Sequence, residues 1–349
     1  MTFYTQFLAL FYLFALLDVC KTSLANKLTY GILSLFLIML VGFRYGLETD
    51  YWSYYALFNR PNILSDTGME IGFRWYNYLF KKLTALNFNA YITCTAFIFT
   101  GIKTYLFSKT RHPFVSMALY VSVFMIMNEL NAMRQGMALM WIMVGVYHLS
   151  KDRIKTFVLC VLVACSFHLS SVLAFIILVL YKIKFSSVKQ YLICLAIAFV
   201  VRLAFFTVFI EVVQTAFSFI PGASARLISK LLRYFADTSS FQVNIGLIRK
   251  LLMFFIVLYC GKKEAVNSIY TKICFFAVIT SVTFSGVAVI AYRLPLVFDA
   301  FSVFAYTNSI KKLTWNNFYL FVLVLFICAG TYFQTLFQSE SAVPYRTYF

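Results

Sequence analysis

Charged and amide side chains stand together at a few places in an otherwise apolar chain. The segment Asn128-Glu129-Leu130-Asn131-Ala132-Met133-Arg134-Gln135-Gly136 leads into a long apolar helical run. At helical spacing Asn128, Asn131 and Gln135 share one stripe, with Arg134 at its edge. A guanidinium there offers a two-pronged donor to a phosphate near an electropositive helix N-terminus. The plainer alternative is an interfacial arginine that snorkels and pairs with Glu129. Upstream, Phe43-Arg44-Tyr45-Gly46 runs into Thr49-Asp50-Tyr51-Trp52-Ser53-Tyr54-Tyr55, where Asp50 and Tyr54 fall one helical turn apart. Aromatic rings of this density suit either an interfacial belt or a surface on which sugars stack. Glu70 and Arg74 are also one turn apart, as an ordinary surface ion pair would be. His168 is the histidine expected at mid-membrane depth, at a helix break where backbone groups are freed, which fits proton handling or phosphate binding. Arg293 precedes Pro295, and Asp299 follows at a distance that suits a structural ion pair. Arg226, Arg233, Arg249 and Lys250 add further positive charge, so the sequence describes an outward cavity that attracts a polyanion.

The elements that must position these groups are membrane helices. The 349 residues are 62% apolar and only 12% charged, with mean hydropathy +0.84, against about 25% charged in soluble chains. So little charge cannot cover a water-facing surface. The reading is all-α: a polytopic membrane helical bundle of about 10 full spans plus a broken helical hairpin. Expected helices cover 3–19, 28–43, 88–107, 113–127, 130–149, 190–212, 244–260, 271–291, 294–309 and 315–336. The first is expected to be retained, because it lacks the basic leader of a cleaved signal. Between Lys155 and Lys182 the chain is too long for one span and too short for two. A hairpin broken at His168, with Ser170 or Ser171 capping its second arm, satisfies that length.

Net charge is +18, and its placement signals topology rather than nucleic-acid binding. Lys21, Lys27, Lys103, Lys109, Arg111, Lys151, Arg153, Lys155, Lys182 and Lys184 group on one side, the cytoplasmic one by the positive-inside rule. Two long outer loops remain, 44–87 and 213–243, the first with amphipathic stretches at 51–58 and 72–83. The chain 1–349 reads as one membrane domain. Its eight cysteines sit in or beside apolar runs without CxxC spacing, so neither a metal site nor a cofactor is expected.

At these same residues the chain resembles the EpsG family of exopolysaccharide and O-antigen polymerases, the Wzy-type membrane enzymes. The matching pieces are Phe43-Arg44-Tyr45-Gly46 with Thr49-Asp50-Tyr51 and Tyr54; Glu70-Ile71-Gly72-Phe73; Asn131 with Arg134-Gln135-Gly136 and Ala138; Phe167-His168-Leu169-Ser170; Tyr292-Arg293; and Pro344-Tyr345. They span nearly the full length in the family's order. Leu47-Glu48 departs from the Val-Gly type pair commoner before Thr-Asp. The resemblance implies a metal-independent glycosyltransferase at the outer face of the bacterial inner membrane, which lengthens undecaprenyl-pyrophosphate-linked oligosaccharide. Its implied catalytic candidates are Asp50, Glu70 and His168. Arg44, Tyr54, Asn131, Arg134, Gln135 and Arg293 would hold pyrophosphate and saccharide. The implied partners are that glycolipid, the bilayer and a chain-length regulator, with no nucleic acid. A flippase for lipid-linked saccharide and an O-antigen ligase are the rival classes.

Overall fold

The computed structural model describes residues 1–66, 68–205, 212, 215, 243–285, 287–310, 315–339 and 344–349. Among them the chain is helical, with no strand and an isolated antiparallel bridge between Arg44 and Thr347. Among the described residues three helices are long and apolar enough to cross a bilayer: Thr2–Val19, Phe88–Phe107 and Asn317–Gln338. Contacts divide the chain into two compact units, Met1–Leu178 with Lys312–Phe349, and Val179–Lys311.

The first unit contains α1 (Thr2–Val19), α2 (Lys27–Gly42), α3 (Asp50–Asn59), α4 (Ile71–Leu83), α5 (Phe88–Phe107), α6 (Pro113–Val123), α7 (Met133–Leu149) and α8 (Ile154–Phe167). The last helix of the chain, Trp315–Gln338, also belongs to it. Local sequence sets several starts. Asn26 forms a capping box with Thr29 ahead of α2, and Asn87 accepts the Ala90 N–H ahead of α5, each satisfying an otherwise orphaned donor. Pro113 opens α6 where its missing N–H costs nothing. Every residue from Phe114 to Ser122 is buried, so α6 is the innermost helix of the unit, packed against α1, α5 and the final helix. The stretches at 51–58 and 72–83 form α3 and α4, so the expected loop 44–87 is largely helical.

The expected helices 113–127 and 130–149 are shorter, ending at Val123 and starting at Met133. After α6 the backbone enters a π-helical turn, Ile126–Asn131, and Ala132 leaves helical geometry at ψ 66° before α7 begins. Buried charge explains the detour. Glu129 points inward and forms an ion pair with Lys103, while Thr100 Oγ1 at 2.7 Å and the Tyr120 hydroxyl both donate to its carboxylate. Lys103 is fully buried, so it is not the cytoplasmic loop cation that its sequence position suggests. Glu129 is likewise committed to Lys103 rather than to Arg134.

Helix α9 (Ile176–Lys182) spans the division at 178/179, and in the second unit α10 (Val188–Val200) precedes α11 (Ile245–Val266), α12 (Ile269–Thr283), α13 (Ala288–Asp299) and α14 (Ser302–Ser309). Helix α12, buried along most of its length, packs against α10, α11, α13 and α14. Two expected boundaries move. The run 271–291 ends at Thr283, and Arg293 and Pro295 lie inside α13 rather than between helices. The run 294–309 breaks after Asp299, which separates α13 from α14. Asp299 pairs with Arg249 of α11; the Arg293 side chain, its expected partner, lies outside the described residues. Most of the expected loop 213–243, including Arg226 and Arg233, lies outside the described residues.

Removing one partner of a buried ion pair strands the other, which costs roughly 3–5 kcal/mol. Lys103→Met is therefore expected to lower the melting temperature in detergent sharply, and Lys103→Met with Glu129→Met to recover most of the loss. Equal melting of the single and double variants would show that the pair does not stabilise this unit.

Candidate active site

The site is built where four helical segments meet within the first unit. Helix α4 begins with Glu70 at its N-cap, yet the Glu70 side chain makes no bond to its own helix. Its carboxylate instead reaches across to two others. Oε2 accepts from Arg134 Nη1 at 2.6 Å, and Oε1 accepts the Leu169 backbone N–H at 3.2 Å. His168 Nδ1 stands 3.5 Å from Oε1. Arg134 is in the first turn of α7, where the helix dipole disfavours a cation; the carboxylate offsets this. The guanidinium also lies over the buried Phe73 ring, 5.7 Å from its centre, and Nη1 is 3.3 Å from Met69 Sδ.

Two glycines allow the approach. A Cβ on Gly72 would sit 2.2 Å from Ser166 Oγ and 2.8 Å from the Ser166 carbonyl oxygen. Only a residue without one lets α4 press on α8 and set Glu70 beside His168. A Cβ on Gly136 would meet the Asn128 carbonyl oxygen at 2.1 Å, so the π-helical turn folds onto α7 at that glycine. Glycines inside helical stretches are the sequence signal for both contacts.

Helix α8 ends at Phe167, whose ring is wedged edge-on to Tyr76 and Phe99 at 6.0 and 5.8 Å. His168 then leaves helical geometry at φ −154°, ψ 112°, and a 3-10 helix follows over Leu169–Phe175. The break falls at the residue expected from sequence. Its closure differs: His168 itself takes the N-cap position, and the Ser171 backbone N–H bonds the His168 carbonyl oxygen at 3.0 Å. No serine caps the segment through its hydroxyl.

Helix α3 docks on the start of α7. The Asp50 N–H donates to Asn131 Oδ1 at 3.4 Å, and the Arg134 N–H donates to the Tyr54 hydroxyl at 3.4 Å. Asp50, Tyr54, Glu70, Asn131, Arg134 and His168 thus converge, with half-buried Gln135 next along α7. Arg44 is placed differently. It is buried, Nη1 donates to the Val41 carbonyl oxygen at 2.8 Å, and Nη2 is 4.0 Å from Met133 Sδ. Arg44 also lines a small cavity in which Thr100, Asn128 and Glu129 stand among apolar residues such as Phe99 and Met137. Arg293 lies on α13 in the second unit, and its side chain is outside the described residues. Arg74 donates to the Leu64 carbonyl oxygen at 2.7 Å, so the one-turn pair with Glu70 does not form. Among the described residues no cluster of His, Cys, Asp or Glu has the makings of a metal site.

Burial pushes the Glu70 carboxyl upward, but the His168 ring, the backbone N–H groups of Glu70 and Leu169 and the Arg134 charge outweigh it and hold the group at about 2. The site therefore contains a carboxylate ionised at neutral pH, a guanidinium engaged through Nη1, and an imidazole whose Nδ1 lies 3.5 Å from the carboxylate. That set can neutralise an oxyanion and accept a proton. Two comparisons with known proteins find nothing: no curated protein and no solved structure matches significantly. A family model does match, that of the EpsG family, over residues 27–347.

Because the Glu70 value is depressed, its contribution to stability is complete above the ordinary carboxylate value of about 4.3 and is lost as pH falls toward about 2. Melting in detergent should show the wild type above Glu70→Gln at pH 7, with the gap closing between pH 4 and 2. A gap that stays constant over that range would place the stabilisation elsewhere.

Proposed function

This chain belongs to the EpsG family, a Wzy-type polymerase-like family, and we propose that it polymerises undecaprenyl-pyrophosphate-linked oligosaccharide repeat units into a surface polysaccharide. The reaction takes place at the outer face of the bacterial inner membrane. The observation that carries this reading is the convergence of Arg134, Glu70 and His168 at a helix break in a multi-pass membrane protein.

The acceptor hydroxyl oxygen bonds to the anomeric carbon of the growing chain as the bond from that carbon to the pyrophosphate oxygen breaks. The electron pair leaves with the pyrophosphate, and the hydroxyl proton must go to a base. Glu70 is a weak base, because its surroundings favour the ionised form so strongly. It serves better to orient His168 through Nδ1, leaving Nε2 to take the proton. Asp50, at the first turn of α3, is the alternative acceptor. Arg134 meets the growing charge on the leaving group, and an interaction that strengthens as the bond breaks lowers the barrier rather than merely binding substrate. Tyr54, Asn131 and Gln135 supply polar contacts for the sugar. Arg44, turned inward to Val41, shapes the site from behind.

Arg134→Ala is expected to abolish long-chain polysaccharide while single-repeat glycolipid persists. Arg134→Lys keeps charge without the fork and should recover only part of the chain length. His168→Ala should lower polymerisation by about 10²–10⁴-fold, the usual worth of a general base, with Asp50→Asn as the comparison. Gels of surface polysaccharide, with membrane levels of each variant checked by immunoblot, read these outcomes. A normal ladder from Arg134→Ala would refute the assignment. Transport of glycolipid by purified protein without lengthening would point to a flippase instead.

A further inference from the structure

The seven residues Phe43–Thr49 connect α2 to α3 with little regular structure of their own. They carry Arg44 and deliver Asp50 to Asn131. Their backbone is awkward: Gly46 and Glu48 both have positive φ, 59° and 65°, and for glutamate that conformation is disfavoured. Leu47 and Glu48 are buried nonetheless. A connector of this kind needs outside support to stay in one conformation.

That support comes from the far end of the sequence. Thr347 forms the antiparallel bridge with Arg44, and the Tyr45 N–H donates to the Arg346 carbonyl oxygen at 2.9 Å. On one side of this bridge Tyr345 stacks on Phe3 of α1, with ring centres 4.8 Å apart, and its hydroxyl donates to the Leu40 carbonyl oxygen of α2. On the other, the Tyr348 hydroxyl shares a 2.8 Å hydrogen bond with Thr93 of α5, whose own hydroxyl lies 2.8 Å from the Asn89 carbonyl oxygen and 3.1 Å from that of Gly42. Phe349 meets the Phe43 ring edge-on at 4.9 Å. Five residues, 345–349, thus tie α1, α2 and α5 together around the point where the connector leaves α2.

From this arrangement we infer that residues 345–349 are a positioning clasp: they hold the Phe43–Thr49 connector, and through it Arg44 and Asp50, in register with the Glu70–Arg134–His168 cluster. The clasp touches no reacting atom. It fixes the backbone from which two site residues depend, and it gives residues separated by the whole length of the chain a shared role. Its effect on polymer length rests on the function proposed above; its effect on the connector does not.

Labelling and product length together test it. In a full-length background lacking the native cysteines, Leu47→Cys reports on the connector and Met117→Cys, buried in α6, reports on the bundle. Deletion of residues 345–349 should speed maleimide labelling of Leu47→Cys by about tenfold or more, as expected for local rather than global opening, while Met117→Cys stays protected. Tyr345→Phe keeps the ring stack and loses one hydrogen bond, and Thr93→Val loses the bond to Tyr348; both should fall between wild type and the deletion. In cells the same series should shorten the polysaccharide in the same order, at unchanged membrane levels. Unchanged Leu47→Cys labelling in the deletion overturns the clasp. So does loss of protection at Met117→Cys, which would make the segment a general requirement for folding, and so does a full-length ladder from a deletion whose connector has opened. A normal ladder from Arg134→Ala would sink the polymerase reading alone and leave the labelling result to stand.

Discussion

A single carboxylate organises the described part of the site. Glu70 is where α4, the start of α7 and the break after α8 come together, because each contributes one group to it: the helix cap, the guanidinium and the N–H that the break exposes. A cation in the first turn of a helix and a free N–H at a helix break are both costly where water is scarce. Satisfying both with one acid removes two penalties at once. Burial would favour the neutral acid, so the ionised form persists only while its partners stay in place.

The arrangement needs close packing more than strong bonds. Gly72 against Ser166 and Gly136 against Asn128 bring backbones to distances that any side chain would prevent. Elsewhere the unit is filled by aromatic rings meeting edge to face, such as Tyr76, Phe99 and Phe167, which lock the break from its apolar side. The polar face of the break is thereby left toward Glu70.

Much of this was legible in the sequence, for identifiable reasons. Apolar runs of bilayer length revealed a helical membrane protein, and the misfit of length between Lys155 and Lys182 placed a break at His168, where the helix does end. Family motifs singled out Asp50, Glu70, Asn131, Arg134 and His168, and the structure brings those residues together. Pairing was hidden. Glu70 with Arg134, Lys103 with Glu129 and Arg249 with Asp299 are each joined across helices, whereas the sequence suggests near neighbours, such as Arg74 beside Glu70 or Arg134 beside Glu129. Charge counting misplaced Lys103 for the same reason, since a lysine near a helix end looks alike whether it faces a loop or a buried acid. The π-helical turn after α6 was also invisible, because hydrophobic periodicity does not register one extra residue in a turn.

The 3-10 geometry of Leu169–Phe175 gives the site a dependence on length. Its seven residues rise about 2.0 Å each, against about 1.5 Å in an α-helix, so the segment stands about 3.5 Å taller than the same residues would if they relaxed to the commoner form. That difference exceeds the reach of a hydrogen bond. A helix rewinding over two turns would draw the Leu169 amide away from Glu70 and carry the imidazole with it, so the poise of the acid is strung to the pitch of a short helix.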